Sequence, residues 1–367
     1  MKWSWRIGRV AGIDVYVHAT FLLLLGWVAI SSWTARERLA DVTHGLLFIT
    51  ALFGIIVLHE LGHALAARRY GIATADITLL PIGGVARLEG MPEKPRQELV
   101  VALAGPAVNV ALALVFWMLV RSADALTSMT RFQLVGGSML ENLLRVNIGL
   151  AVFNLIPAFP MDGGRVLRAL LALKLDYARA TRLAATVGQA MAFMAGAVGL
   201  AKMHPFLVFI AIFVYLGAEQ EADMVRVQTA LDGVPARAVM IRDFKTLSPH
   251  DPLRRAVQYV LDGFQQDFPV VDQGRVIGIL TRQRLLTALA KRGENLTVGQ
   301  AMERRFATTT PDEEAEAAFA RLEESDCRTL PVVQNERLVG LLTAENLGEF
   351  LMIQSALRGE SSLARKA

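Results

Sequence analysis

The chain has 367 residues, 53% of them hydrophobic and 20% charged. The apolar excess lies before residue 220 in long runs with few charges, and ordinary mixed sequence follows Gly233, which excludes one soluble domain throughout. The net charge of +4 comes from Lys and Arg beside apolar runs and not from a basic stripe with interleaved aromatics, so nucleic acid is excluded as a partner; the lone Cys327 excludes an intrachain disulfide.

In chain order, Trp3–Val17 alternates apolar and polar residues around Gly8 and Gly12 and reads as short strands. The basic start (Lys2, Arg6, Arg9) precedes the apolar run Val15–Trp33. That run is long for a cleaved signal and no small-x-small site follows it, so it reads as a retained first span. A transmembrane helix needs about 20 mostly apolar residues. The further candidates are Leu46–Ala67, Leu99–Val120, Met139–Pro157, Leu183–Lys202 and Pro205–Leu216 with flanking residues, making about six spans. The last two form a hairpin through Met203-His204-Pro205. Between the second and third spans, Asp76–Glu89 reads as strand, glycine turn (Pro81-Ile82-Gly83-Gly84) and strand. Open sheet edges are not tolerated against lipid, so these strands pack on protein or line a site entrance.

Lys and Arg near the span ends set orientation. With the N-terminus inside, inner segments hold Lys2, Arg6, Arg9, then Arg68, Arg69, Arg87, Lys94 and Arg96, then Arg165, Arg168, Lys174, Arg179 and Arg182. Outer loops hold Arg36, Arg38, Arg121, Arg131 and Lys202. The expected location is the cytoplasmic membrane, with the N-terminus and the tail in the cytoplasm.

The tail repeats itself at one offset. Met240 matches Met302, Pro249 matches Pro311, Phe268-Pro269-Val270-Val271 matches Leu330-Pro331-Val332-Val333, Gly278 matches Gly340 and Thr281 matches Thr343. Each unit reads as a helix between short strands, and such a unit buries its core against its twin. The expected organisation is a membrane domain over 1–220, a linker over 221–233, repeats over 234–292 and 293–356, and a flexible end over 357–367.

The chemistry is carried by His59-Glu60-Leu61-Gly62-His63. Four residues apart on a helix, the two imidazoles share one face, one turn apart, and suit one tetrahedral zinc. Glu60 beside them can activate water. The competing reading is a His–Glu pair bonding neighbouring helices, but ionisable residues in an apolar span are costly and usually functional. Zinc needs a third protein ligand. Asp162 in Asn154-Leu-Ile-Pro157-Ala-Phe-Pro160-Met-Asp162-Gly163-Gly164 is the best candidate, because prolines break the helix and glycines let the chain turn it inwards. His18 is the runner-up, and His44, His204 and His250 sit in weaker contexts.

His59-Glu-Leu-Gly-His63, Pro81-Ile-Gly-Gly84, Ala104-Gly-Pro-Ala-Val-Asn109 and Asn154 to Arg165 together resemble the site-2 protease family of intramembrane metalloproteases, over roughly residues 1–220. The resemblance implies one Zn²⁺ per chain held by His59, His63 and Asp162, with Glu60 as catalytic base. It implies single-span or signal-anchor membrane protein substrates, cut within or near a transmembrane segment. It also implies Asn154 as a substrate or oxyanion group and the Gly83-Gly84 hairpin as a strand that pairs with an unwound substrate. The tail resembles a pair of CBS domains, which implies an adenine nucleotide touching Thr281 and Thr343, or a docking or homodimerisation module. The family's Thr-x-x-Asp departs here to Thr281-Arg-Gln-Arg284 and Thr343-Ala-Glu-Asn346. The rival of another class is a channel or transporter gated by the tail, which would spread its charged residues over several spans.

Overall fold

The computed structural model describes residues 3–36, 39–81, 83–88, 94–120, 138–263, 265–292, 296–325 and 327–364. Lys2, Arg38, Ile82, Glu89, Arg121, Arg131 and the last residues of the expected flexible end, 365–367, lie outside them. The chain divides into two compact units, Met1–Asp223 and Met224–Ala367.

In the first unit, β1 (Ser4–Val10) and β2 (Ile13–His18) form an antiparallel pair, as the alternation predicts. Ile13, Val15 and Val17 alternate with half-buried residues and face the interior. The apolar run from Val15 therefore starts in a strand, and the first helix, α1, is Thr20–Arg36. After α2 (Leu39–Arg68), β3 (Thr74–Leu80) joins β2 in parallel, and β4 (Gly83–Leu88) closes an antiparallel hairpin. The sheet order is β1-β2-β3-β4, so β4 is an edge strand. It packs on α2.

Then come α3 (Pro95–Val120), α4 (Met139–Asn154), α5 (Asp162–Ala172), α6 (Tyr177–Ala201) and α7 (Pro205–Leu231). α3 packs on α2, α4 and α5. Among the described residues, four helices are long and apolar enough to cross a membrane: α2, α3, α6 and α7. α1 is apolar over Thr20–Thr34 but shorter, and α4 has 16 residues. Large apolar side chains such as Leu23, Trp117, Phe193, Met203 and Phe206 are exposed on or between these helices, as lipid-facing residues are. The expected linker 221–233 is helical as far as Leu231.

The second unit shows what the repeat builds. In order it contains α8 (Ala236–Val239), α9 (Leu253–Asp262), β5 (Phe268–Asp272), β6 (Arg275–Leu280), α10 (Arg282–Arg292), α11 (Val298–Ala301), α12 (Ala315–Glu324), β7 (Thr329–Gln334), β8 (Arg337–Thr343) and α13 (Ala344–Ala364). The hairpins β5-β6 and β7-β8 turn through Gln273-Gly274 and Asn335-Glu336, all with positive φ, as a two-residue hairpin turn demands.

The repeats exchange their leading segments. Ala236 and Val239 of α8 lie in the core of the second repeat with Leu330 and Leu342, while Val298 and Ala301 of α11 lie in the core of the first with Phe268 and Leu280. The backbone repeats the exchange: Ile241 bridges Leu341 and Ile279 bridges Glu303. Both matched glycines serve it, because a Cβ on Gly340 would lie 2.5 Å from Met240 Sδ and one on Gly278 would lie 2.7 Å from Met302 Sδ. Neither repeat closes its core alone.

Candidate metal centre

His59 and His63 lie in the C-terminal half of α2, and both are buried. Their Nε2 atoms are 3.1 Å apart. Asp162 opens α5, and its Oδ2 lies 3.3 Å from His59 Nε2 and 3.2 Å from His63 Nε2. Three donors from two distant segments therefore converge on one point that could hold a metal ion.

The donor set fits zinc. Bonds of about 2.0–2.1 Å in a tetrahedron place ligand atoms about 3.3–3.4 Å apart, and the three separations here are close to that. His63 Nδ1 donates to the carbonyl of Val101 at 2.7 Å, which fixes the ring and leaves Nε2 free to ligate. His59 Nδ1 is buried with no hydrogen-bond partner among the described residues.

Small residues make room for this arrangement. A Cβ on Gly105 of α3 would lie 2.1 Å from His63 Nε2 and 2.7 Å from His59 Nε2. α3 thus presents bare backbone under both Nε2 atoms. A Cβ on Gly62 would lie 2.9 Å from the Ala104 carbonyl, so α2 and α3 approach backbone to backbone beside the site. Pro106 follows Gly105 inside α3 and offers no N–H to the preceding turn. Asn109, one turn on, is wholly buried, and neither of its amide atoms has a partner among the described residues.

The loop before Asp162 folds back on α5. A Cβ on Gly163 would lie 2.2 Å from the Ile156 carbonyl, and one on Gly164 would lie 2.6 Å from the Phe159 nitrogen. The double glycine is thus required by close approach and seats the aspartate at the helix start.

Glu60 faces the edge strand: a Cβ on Gly84 would lie 3.0 Å from Glu60 Cγ and 2.8 Å from Ile56 Cγ2. Gly84 lets β4 lie directly over the glutamate. Gly83, at φ +142°, opens the strand. Asn154 is the half-buried last residue of α4, and no hydrogen bond ties it to the three donors among the described residues. His18, the runner-up ligand, ends β2 and shares a 2.8 Å hydrogen bond with Thr20 Oγ1, apart from the donor group.

Sequence reasoning missed the pairing of three charged residues here. Arg168 counts towards topology by sequence, yet its side chain is 1% exposed and is paired with Glu98 and Glu221. Charged residues within apolar text were the available signal. Outside the helices, the hydrogen bond from the Arg87 guanidinium holds the Asp76 carboxyl below the usual range and ties β3 to β4.

In the second unit, Thr281 and Thr343 line one cavity of about 1060 Å³. Thr281 Oγ1 accepts from Arg284 N at 3.3 Å and Thr343 Oγ1 from Asn346 N at 3.1 Å, so both hydroxyls cap their own helices. Asp267, buried at the cavity wall, accepts from Arg282 N and from Thr329 Oγ1, and burial pushes its carboxyl up.

Both parts of the sequence resemble known proteins. Residues 47–136 and 134–195 match Peptidase family M50, and residues 236–291 and 298–352 match the CBS domain. A zinc metalloprotease of Methanocaldococcus jannaschii is 35% identical over 280 residues, covering 76% of this chain and 78% of that one. A Mycobacterium tuberculosis protein that carries the name zinc metalloprotease Rip3 is 28% identical over 376 residues, covering 94% and 92%. Among solved structures, the site-2 protease from Methanocaldococcus jannaschii is 37% identical, with a TM-score of 0.43, and covers 60% of this chain and 95% of that one.

Proposed function

The chain belongs to peptidase family M50, the zinc metalloproteases of site-2 protease type, with two C-terminal CBS domains, and we propose that His59, His63 and Asp162 are its zinc ligands and Glu60 its general base. The family acts on membrane proteins by intramembrane proteolysis. The observation that carries the assignment of ligands is the convergence of three buried donors over the bare backbone of Gly105.

Bound zinc supplies Lewis acidity, which activates water and polarises a peptide carbonyl near neutral pH. The chain's own residues do the rest. Val101 holds His63 in the ligating tautomer. Glu60, next to His59 and under Gly84, takes a proton from the attacking water and returns it to the leaving amine. A helical substrate must unwind before its peptide bonds can be attacked. The edge strand β4, which Gly83 opens, offers main-chain hydrogen bonds to an extended segment, and Gly84 lets that strand lie over the base. Asn154, at the mouth of the loop that delivers Asp162, is assigned to the substrate carbonyl.

The finer organisation follows the same reading. α1 and α4 complete six spans with the four long helices, in a cell membrane with the N-terminus and the CBS pair in the cytoplasm, as the Lys and Arg bias supports. The membrane domain is 1–220, the linker 221–233, and the repeats 234–292 and 293–356. Substrates are single-span or signal-anchor proteins. The CBS pair modulates cleavage by taking an adenine nucleotide in the cavity beside Thr281 and Thr343, and provides a homodimer contact.

Metal analysis tests the ligand set. Wild type should hold one zinc per chain, and Asp162→Ala should purify with substoichiometric metal. Full metal in Asp162→Ala would move the third ligand elsewhere, with His18 the first to examine.

A further inference from the structure

The buried charges that the chemistry above leaves unused meet at Arg168. Its Nε donates to Glu98 Oε1 at 2.6 Å and its Nη1 to Glu221 Oε1 at 2.6 Å. The guanidinium lies 5.1 Å from the ring centroid of Phe159 and 5.0 Å from that of Tyr177. One side chain thus joins α3 (Glu98), α5, α6 (Tyr177), α7 (Glu221) and the loop before Asp162 (Phe159). Replacing a buried ion cluster by apolar residues of similar size is often neutral for stability, so stability alone does not account for it.

The register of α3 gives the cluster a different role. Glu98 and Val101 are three apart, on one face of one helical turn. Val101 holds His63 through its carbonyl, and Glu98 holds Arg168, six residues beyond Asp162 on α5. Two metal ligands from distant segments are therefore referred to the same turn of α3. The Asp162 loop is otherwise supported by close approaches, with Gly188 under Ala158 and Gly217 under Pro160, and by backbone hydrogen bonds inside its own segment, from Met161 N to the Ala158 carbonyl and from Gly164 N to the Met161 carbonyl. Those bonds do not tie the segment to α3. The planar Arg168 guanidinium does, with fixed donor directions and the rings of Phe159 and Tyr177 beside it.

We infer that Arg168 is a positioning residue for the metal site: its pairing with Glu98 sets Asp162 relative to His63, and its pairing with Glu221 and contact with Phe159 hold the loop in that setting. This rests on His59, His63 and Asp162 being the ligands. Loss of the clamp leaves all three ligands present but misplaced, so the effect appears in metal affinity and geometry before it appears in folding. Groups that hydrogen-bond a metal ligand directly change metal affinity by about 10–100-fold, and a clamp acting through α5 is expected at the lower end of that range.

The test uses full-length protein in detergent, loaded with Co²⁺ as a spectroscopic probe, with zinc affinity measured against a chelator. Wild type, His63→Ala, Arg168→Lys, Arg168→Met and the charge-balanced triple variant Glu98→Gln/Arg168→Met/Glu221→Gln are compared, with tryptophan fluorescence reporting folding. The triple variant leaves no unpaired charge and decides the matter if Arg168→Met does not fold. The expected result is a folded triple variant with zinc affinity at least tenfold weaker and an altered cobalt visible band, with Arg168→Lys partly restoring both. A folded triple variant with the wild-type band and affinity would overturn the inference alone, provided that His63→Ala loses binding. Wild-type binding by His63→Ala would overturn the ligand set, and the inference with it.

Discussion

Both units of this chain bury apolar side chains, but they differ in the polar groups buried among them. The buried polar residues of the first include His59, His63, Glu98, Asn109, Asn142, Asn147, Asp162 and Arg168. In the second the buried set is almost entirely apolar, with Asp267, Thr309 and Thr329 the buried polar residues among those described. The surfaces are reversed: large exposed apolar side chains crowd the helices of the first, while Met224, Leu261, Leu286, Met352 and Ile353 are the ones among the described residues of the second. A soluble unit gains by burying apolar surface and leaves its charges in water. A unit among lipids gains little from that exchange, so its interior is free to hold polar groups that a reaction needs. The contrast locates the chemistry in the first unit and the duplicated, self-supporting core in the second.

Probes for testing that contrast are built into the sequence. The five tryptophans all lie in the first unit, and the single cysteine, Cys327, is buried in the second. The largest effect is expected from Gly105→Ala, which drives a methyl group into the Nε2 atoms of His59 and His63. It should abolish stoichiometric zinc and all detectable cleavage while Cys327 stays protected from thiol reagents. Retained zinc would mean that α3 does not define the floor of the site.

Next is Leu330→Ala, a wholly buried side chain in the second repeat's core. Such truncations cost about 2–5 kcal/mol. Cys327 should label at lower denaturant concentration, with zinc content and tryptophan emission unchanged. Loss of zinc would break the separation between the units.

The smallest effect is on pH dependence. Burial raises the Asp267 carboxyl above its ordinary range, so the folded unit holds a proton that the unfolded chain has released. The stabilisation from that proton is complete below the ordinary carboxylate value and is lost as pH rises through the raised one. Cys327 protection should therefore weaken over that window in wild type and lose this slope in Asp267→Asn. An identical slope in both would assign it to another group.

Some of this was legible in the sequence, for identifiable reasons. His59 and His63 could be read because helical spacing alone puts them together, and Asp162 because prolines and glycines mark a turn inwards. The repeat could be read residue by residue, but its exchange could not: matching Met240 with Met302 says that they are equivalent, not that each packs on the other repeat's glycine. The first span was set too early, since Val15 to Val17 fit both the alternation of Trp3–Val17 and the apolar run that follows, and the structure places them in β2. Arg168 looked like a topology charge because a count of basic residues carries no information about partners. Gly105 was visible within a motif, yet its role depends on two side chains from another helix.

The central claim is that Glu60 acts as the base beside a metal held by His59, His63 and Asp162. The most direct measurement compares wild type and Glu60→Gln for zinc content and for cleavage of a single-span membrane substrate in the same preparation. The expected result is equal zinc, one per chain, with cleavage reduced by about 10²–10⁴-fold in the variant, the range for losing a general base. Equal cleavage by both proteins would contradict the account.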